Sequence, residues 1–166
     1  SNLVGLVYLG LLLPEFKEAR KWRDFSIKAL VKEMGRQVYP DGVDYEGSPS
    51  YHRLVMELFL SATLLCLKNG IPFPDWYMER LEKMIGFIAH YTKPDGTAPQ
   101  IGDNDDGRLH ILADYGNWNR LDHRNLLSVG AVLFNRPDLK HVAGEFHEEA
   151  SWLLGKDAQK KFDELA

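Results

Sequence analysis

The sequence predicts an all-α fold on three grounds. Apolar residues recur at helical spacing through most of the chain. No stretch alternates apolar and polar residues as a half-buried strand does. Helix punctuation falls between the periodic segments: Ser48-Pro49 as a start, Asn69-Gly70 as a stop, and two Pro-Asp-Gly turns. The 166 residues, 45% of them hydrophobic, suffice for one domain with its own core, so 1–166 is read as a single all-α domain.

The first helix is predicted over Asn2 to Leu13, apolar on all sides and so buried on most faces. Pro14 ends it and opens a second helix to Val38, with Glu15 and Glu18 in the first turn, where they suit the helix dipole. Phe16, Trp22, Phe25, Ile27, Leu30 and Met34 form its inner face, and Lys17, Arg20, Lys21, Arg23 and Lys28 its solvated one. A polar loop, Pro40 to Arg53, leads into a third helix from Ser48 to Lys68, with Ser48 as N-cap and Pro49 at the first helical position. The short Ile71–Pro74 link predicts an antiparallel partner, a fourth helix from Asp75 to Thr92. A long polar loop follows Pro94-Asp95-Gly96. Loops of that length are functional or disordered, and Tyr115 and Trp118 argue against disorder. A fifth helix is expected over Asn125–Asn135, a short one from Pro137, another over Glu148–Leu154, and a last one over Lys156–Leu165. Trp22, Trp76 and Trp152 fall on helical patterns and read as core.

Pro40-Asp41-Gly42 and Pro94-Asp95-Gly96 each follow a long helix and precede a polar loop. This internal echo predicts helix pairs set side by side, with functional loops at one shared end.

Composition removes several function classes. The net charge is −4 and the pI about 5.8, with no basic stripe, so nucleic acid is not an expected partner. The opening apolar run is too short to span a bilayer and lacks the charged lead and small-residue cleavage pattern of a signal peptide, so no membrane is expected. The single cysteine, Cys66, excludes a disulfide framework and reads as core. The chain lacks an initiator methionine, and we read it as a piece of a longer protein.

Two loops hold the candidate chemistry. The first offers Asp44, Tyr45, Glu46, Tyr51 and His52 beside a helix start. A tyrosine there can serve as acid and base when cations or a helix N-terminus favour its phenolate. The bland alternative is a polar connection in which Tyr51 caps the loop and His52 bonds a carbonyl. Glu46 with Asp44 is a paired-carboxylate candidate, against acids that merely complement the helix dipole. The second loop offers Asp103, Asp105 and Arg108, with Trp118 as a sugar platform. Its Gly-Asp-Asn-Asp-Asp-Gly run fails as a calcium loop, because the glycine is one place early and no glutamate closes it. His147-Glu148 lacks the second histidine of a zinc protease helix, since Ser151 stands in its place. His90, His110, His123 and His141 have no ligand spacing and read as ordinary surface or loop residues, so no metal or cofactor is predicted.

Glu46-Gly-Ser-Pro-Ser-Tyr-His52 resembles the acid-x-Ser-Pro-x-Tyr-His element of the heparinase II/III family of polysaccharide lyases, including related alginate lyases. Pro94 to Arg108 resembles the family's second loop, and Asn2 to Phe16 the helix that follows its Asn-His element. The resemblance covers most of the chain. It implies helical hairpins forming part of an incomplete (α/α) toroid, and β-elimination beside a uronic acid. Tyr51 then matches the family's catalytic tyrosine, and His52, Glu46, Tyr45, Asp103, Asp105, Arg108 and Trp118 are the expected substrate-binding residues. An acidic polysaccharide or oligosaccharide is the implied partner, and a periplasmic or secreted location is implied with it. The family's carboxylate-neutralising Asn or His would precede Ser1, and its β-sandwich domain with a further histidine would follow Ala166. The chain alone is therefore expected to be inactive. A toroid glycoside hydrolase using Glu46 and a noncatalytic carbohydrate-binding or scaffold domain are the alternatives. A sulfated substrate would need several arginines and lysines, and the loops offer few besides Arg53, Arg108, Arg120 and Arg124, which argues against heparin itself.

Overall fold

The structure is a computed structural model that describes residues 1–104, 107–113 and 119–166. Among these residues there are eight α-helices and no strand, as the periodicity predicts: α1 (Asn2–Leu12), α2 (Ala19–Gln37), α3 (Pro49–Lys68), α4 (Asp75–Tyr91), α5 (Arg124–Phe134), α6 (Pro137–Ala143), α7 (Glu149–Leu154) and α8 (Ala158–Glu164). Val38 and Asp44 form an isolated antiparallel bridge.

α3 is the central element. Ser48, with extended backbone, accepts the Tyr51 N–H on its Oγ at 3.4 Å, and Pro49 occupies the first turn, where its missing N–H costs nothing. The helix stops at Asn69-Gly70, and Ile71 N–H donates back to the Cys66 carbonyl at 3.0 Å. α1 packs on α2 and α3, α4 on α3 and α5, and α6, α7 and α8 gather around α5. Met34, Met56, Leu60, Leu81, Met84, Ile85, Ile88, Leu127 and Leu139 are fully buried between these helices. Tyr77 joins them with its hydroxyl bonded to Thr63 Oγ1 at 2.9 Å and its ring stacked on Phe73. Such pairing is what admits a phenol to an apolar core. Cys66 is buried there too, and burial pushes its thiol up to about 11.

The two Pro-Asp-Gly turns share one hydrogen-bond pattern. Tyr39 N–H donates to the Val43 carbonyl and Lys93 N–H to the Thr97 carbonyl, both at 2.9 Å. Gly42 N–H returns to Tyr39 and Gly96 N–H to Lys93. Asp41 Oδ1 accepts from Val43 N–H, as Asp95 Oδ1 does from Thr97 N–H. Gly42 has φ +94, and a Cβ there would lie 2.5 Å from the Lys83 carbonyl carbon, so this turn is pressed against the α4 backbone.

Several expectations need correction. α1 is not buried on most faces: Val4, Val7 and Gly10 face α2 and α3, while Leu9 and Leu12 stay exposed. α2 begins at Ala19, because residues 14–18 form turns instead of a first helical turn. Phe16 and Phe25 are exposed, and Trp22 is half-buried in a T-shaped contact with the Phe16 ring. Trp76 (42% exposed) and Trp152 (64% exposed) are surface residues, not core. Trp76 carries the Arg80 guanidinium over its ring, and Trp152 points its N–H at Glu148. For Phe25, Trp76 and Trp152 the helical spacing is real, but the neighbouring elements leave that side of the helix largely uncovered, whereas Phe16 lies in the turns ahead of α2.

Candidate functional site

The first and second loops meet at the N-terminus of α3. Gly102, with φ +71, lies against Gly47 and Ser48, so that a Cβ on it would sit 3.4 Å from the Gly47 carbonyl oxygen. Ser48 Oγ donates to the Asp103 carbonyl, and Ser50 Oγ donates to Asn104 Oδ1 at 2.7 Å. The contact continues along α3. Arg53 Nη2 donates to the Gly107 carbonyl at 2.6 Å, Leu109 N–H donates to Glu57 Oε2 at 2.7 Å, and Ser61 Oγ bonds His110 Nε2 at 2.6 Å. Tyr8 of α1 closes the row through its hydroxyl on Ser61 Oγ. Ser48, Ser50, Arg53, Glu57 and Ser61 therefore form a polar stripe at roughly helical spacing, and the second loop is buttoned onto it in ascending order.

Beneath this row lies a four-charge cluster of zero net charge. Arg53 Nη1 pairs with Glu57 Oε1 at 2.8 Å. Arg108 Nη2 donates to both oxygens of Glu149 at 2.6 and 2.8 Å, and its Nε is 3.7 Å from Glu57. Asn125 adds a side-chain donor to Glu149. All four charged side chains are less than a tenth exposed. Burying a lone charge is costly, and mutual pairing plus backbone donors is what makes this burial tenable.

The expected site residues divide into three groups. Tyr45, Glu46 and Asp103 are exposed at the rim where the loops meet, and Tyr51 is half-buried in the first turn of α3 at that same end. Beside Tyr45 the Glu46 carboxylate pushes its phenol above the ordinary value. His52 and Arg108 face inward. His52 is 1% exposed; it accepts the Asp44 N–H on Nδ1 at 3.2 Å and bonds the Met84 carbonyl through Nε2 at 2.9 Å. Desolvation brings its imidazole down to about 4, with the Met84 bond opposing. Both ring nitrogens thus serve the fold, tying the first loop to α4. Arg108 is spent on Glu149 and Glu57, so it is a strut between the loop and α7. Asp105 and Trp118 lie outside the described residues, as does Tyr115.

Asp44 stands just beneath the rim. Its carboxylate is buried, Oδ2 accepts the Glu46 N–H at 3.2 Å, and burial raises its pKa with help from the Glu46 charge. His123 is not an ordinary surface residue: it is buried ahead of α5, bonds the Tyr91 hydroxyl through Nδ1 at 2.7 Å, and is driven down to about 3 by desolvation and then by Arg53. Among the described residues no three His, Cys, Asp or Glu side chains converge as metal ligands do, and no helix is long and apolar enough to cross a membrane.

Sequence reasoning missed Ser50, Glu57, Asn104 and Glu149 as parts of this assembly. Two signals were available. Arg53 and Glu57 are an i, i+4 pair on a helix whose neighbouring positions are apolar. His52, Met56, Phe59 and Thr63 share one face of α3, which places the histidine on the inner side.

Comparison with known proteins places the chain in a family. The family model described as Heparinase II/III N-terminus matches residues 1–129. A heparin-sulfate lyase of Bacteroides stercoris is 35% identical over 123 residues, covering 72% of this chain and 18% of the relative. One of Pedobacter heparinus is 32% identical over 118 residues, covering 69% of this chain and 18% of its own length. A third, of Bacteroides thetaiotaomicron, is 30% identical over 113 residues. The chain thus spans under a fifth of the curated relatives it matches. No solved structure matches it significantly.

Proposed function

The chain belongs to the heparinase II/III family, and from that premise we propose that it is the helical part of a polysaccharide lyase that cleaves a uronic-acid-containing polymer by β-elimination. The observation that carries the reading is the meeting of the two loops at the α3 N-terminus, with Tyr51 in the first turn. In β-elimination one group neutralises the sugar carboxylate and so acidifies the C5 proton. A base removes that proton, and an acid protonates the departing O4. Stabilising the enolate-like charge is the largest demand. Tyr51 is the acid, and as phenolate it is the base as well: it takes the C5 proton, and the phenol so formed gives that proton to the departing O4 as the C4–O4 bond breaks.

On this reading Tyr45, Glu46 and Asp103 bind sugar from the rim, while His52 and Arg108 act only by holding the loops. The helices form part of an (α/α) toroid, and the active centre takes further groups from outside these 166 residues: a carboxylate-neutralising Asn or His, and a histidine from a β-sandwich domain. The chain by itself then binds substrate without turning it over. The substrate is an unsulfated or sparsely sulfated uronan, because Arg53 and Arg108 are spent on internal carboxylates and Arg124 on Asp122.

The test is Tyr51→Phe in the longer protein to which this reading assigns the chain, followed by ultraviolet absorbance of the unsaturated uronate product. Turnover should fall by about two to four orders of magnitude, the usual worth of a positioned acid–base group, with binding and melting temperature unchanged. Turnover within a few-fold of the unsubstituted protein would remove the lyase assignment of this site.

A further inference from the structure

We infer that Asn104 is a substrate-binding residue whose side-chain amide donates to the carboxylate of a uronic-acid ring bound at the rim where the two loops meet. The inference deepens the reading above and rests on it. Ser50 donates its hydroxyl proton to Asn104 Oδ1 at 2.7 Å, which takes up the acceptor end of the amide and fixes its orientation. The Nδ2 end keeps two N–H donors, and Asn104 is exposed. Ser48 holds the preceding carbonyl, of Asp103, so the loop is pinned to α3 just before the residue.

The rim itself is acidic. Glu46 and Asp103 are exposed there, and a uronate carboxylate is repelled by both. From Tyr45 to Gly47 and from Ile101 to Asn104, Asn104 is the one side chain with N–H donors. The guanidinium groups of Arg53 and Arg108, which bind the second loop to α3 and α7, are turned into the buried charge cluster. Among the side chains of these two described stretches, a carboxylate arriving at this rim therefore finds its N–H donor in Asn104, and hydrogen bonds to a charged acceptor are the stronger kind. On the same two stretches the exposed Tyr45 ring and Ile101 side chain supply apolar surface for sugar C–H groups.

The experiment titrates the 166-residue chain with two size-defined unsulfated oligosaccharides, one of alginate and one of alternating glucuronic acid and N-acetylglucosamine, and with their carboxyl-reduced counterparts. Asn104→Ala should weaken uronate binding about tenfold. Asn104→Asp should weaken it further, on the order of a hundredfold, because it replaces the donor with a like charge. Ser50→Ala should cause a smaller loss by freeing the amide. The carboxyl-reduced ligands should bind the unsubstituted chain more weakly and should not distinguish it from Asn104→Ala. In parallel, the side-chain amide resonances of Asn104 should shift on titration of the unsubstituted chain, a readout that needs no variant to fold. Uronate binding by Asn104→Ala within twofold of the unsubstituted chain, or an unmoved Asn104 amide during saturable binding, overturns the assignment. Failure of the unsubstituted chain to bind either uronate overturns the uronan reading itself, and the assignment with it.

Discussion

Arg108 illustrates how a residue type can be read correctly and its address wrongly. The sequence flags it as a guanidinium able to grip a carboxylate, and it does so, but the carboxylate is Glu149 of this chain. Substituting Arg108 with Met leaves Glu149 buried beside a lone amide from Asn125. Loss of one partner of a buried pair is expected to cost about 3 to 5 kcal/mol. Replacing Glu149 by Met as well should recover part of that loss, which chemical denaturation of the single and double variants will measure. If the double variant is no more stable than Arg108→Met, the two charges do not act as a pair. His52 follows the same logic. It sits in a motif that reads as chemistry, yet its place on the apolar face of α3 sends it inward. Tyr45, Glu46 and Asp103 were legible as surface groups because turn and cap residues surround them. Asn104 was not, because its significance lies in a bond to Ser50 more than fifty positions away.

The elements were legible where punctuation and period agreed. α3 starts at Ser48-Pro49 and stops at Asn69-Gly70 as predicted. The sequence draws α2 one turn too long at its start, because Pro14 and the two glutamates imitate a helix opening while the backbone turns instead. The repeated Pro-Asp-Gly turn was visible as letters, and the structure gives it matching bonds. The two copies differ in what they press against. Gly42 faces the α4 backbone at Lys83 and Met84, whereas Gly96 faces the flexible Arg124 guanidinium. Gly42→Ala should therefore destabilise the protein on the order of 3 kcal/mol, combining a disfavoured φ with a backbone clash. Gly96→Ala should cost less, because a side-chain end can yield where a backbone cannot, at the expense of its bonds to Asp122. Equal losses in thermal melts would show that φ alone sets the penalty.

The molecule as a whole keeps two histidines neutral in its interior, and this fixes how its stability depends on pH. His52 and His123 are depressed in the folded state, to about 4 and about 3, from an ordinary value near 6.5. Below that value the unfolded chain binds more protons than the folded one. The stabilisation from both is therefore complete above about pH 6.5 and is lost as pH falls toward 4 and then 3. Together they are worth several kcal/mol, since each tenfold loss of proton affinity on folding corresponds to about 1.4 kcal/mol. Asp44 works in the opposite direction, since its raised pKa lets the folded state take up a proton early. Denaturation midpoints measured from pH 7 to pH 4 should fall steadily; a flat or rising profile would mean that neither ring is sealed as described. An all-α class and the loop-bearing end could be inferred from periodicity and echo alone. The uncovered sides of α1 and α2 could not, because periodicity tells which residues are apolar and not which neighbour arrives to cover them. The clamp between Arg108 and Glu149 also decides where this protein can be divided. The family match stops at residue 129, twenty positions short of the glutamate. A protein engineer who trimmed the chain at that border would remove the counter-ion from beneath the second loop, so the smallest transplantable piece is set by charge balance and reaches through α7.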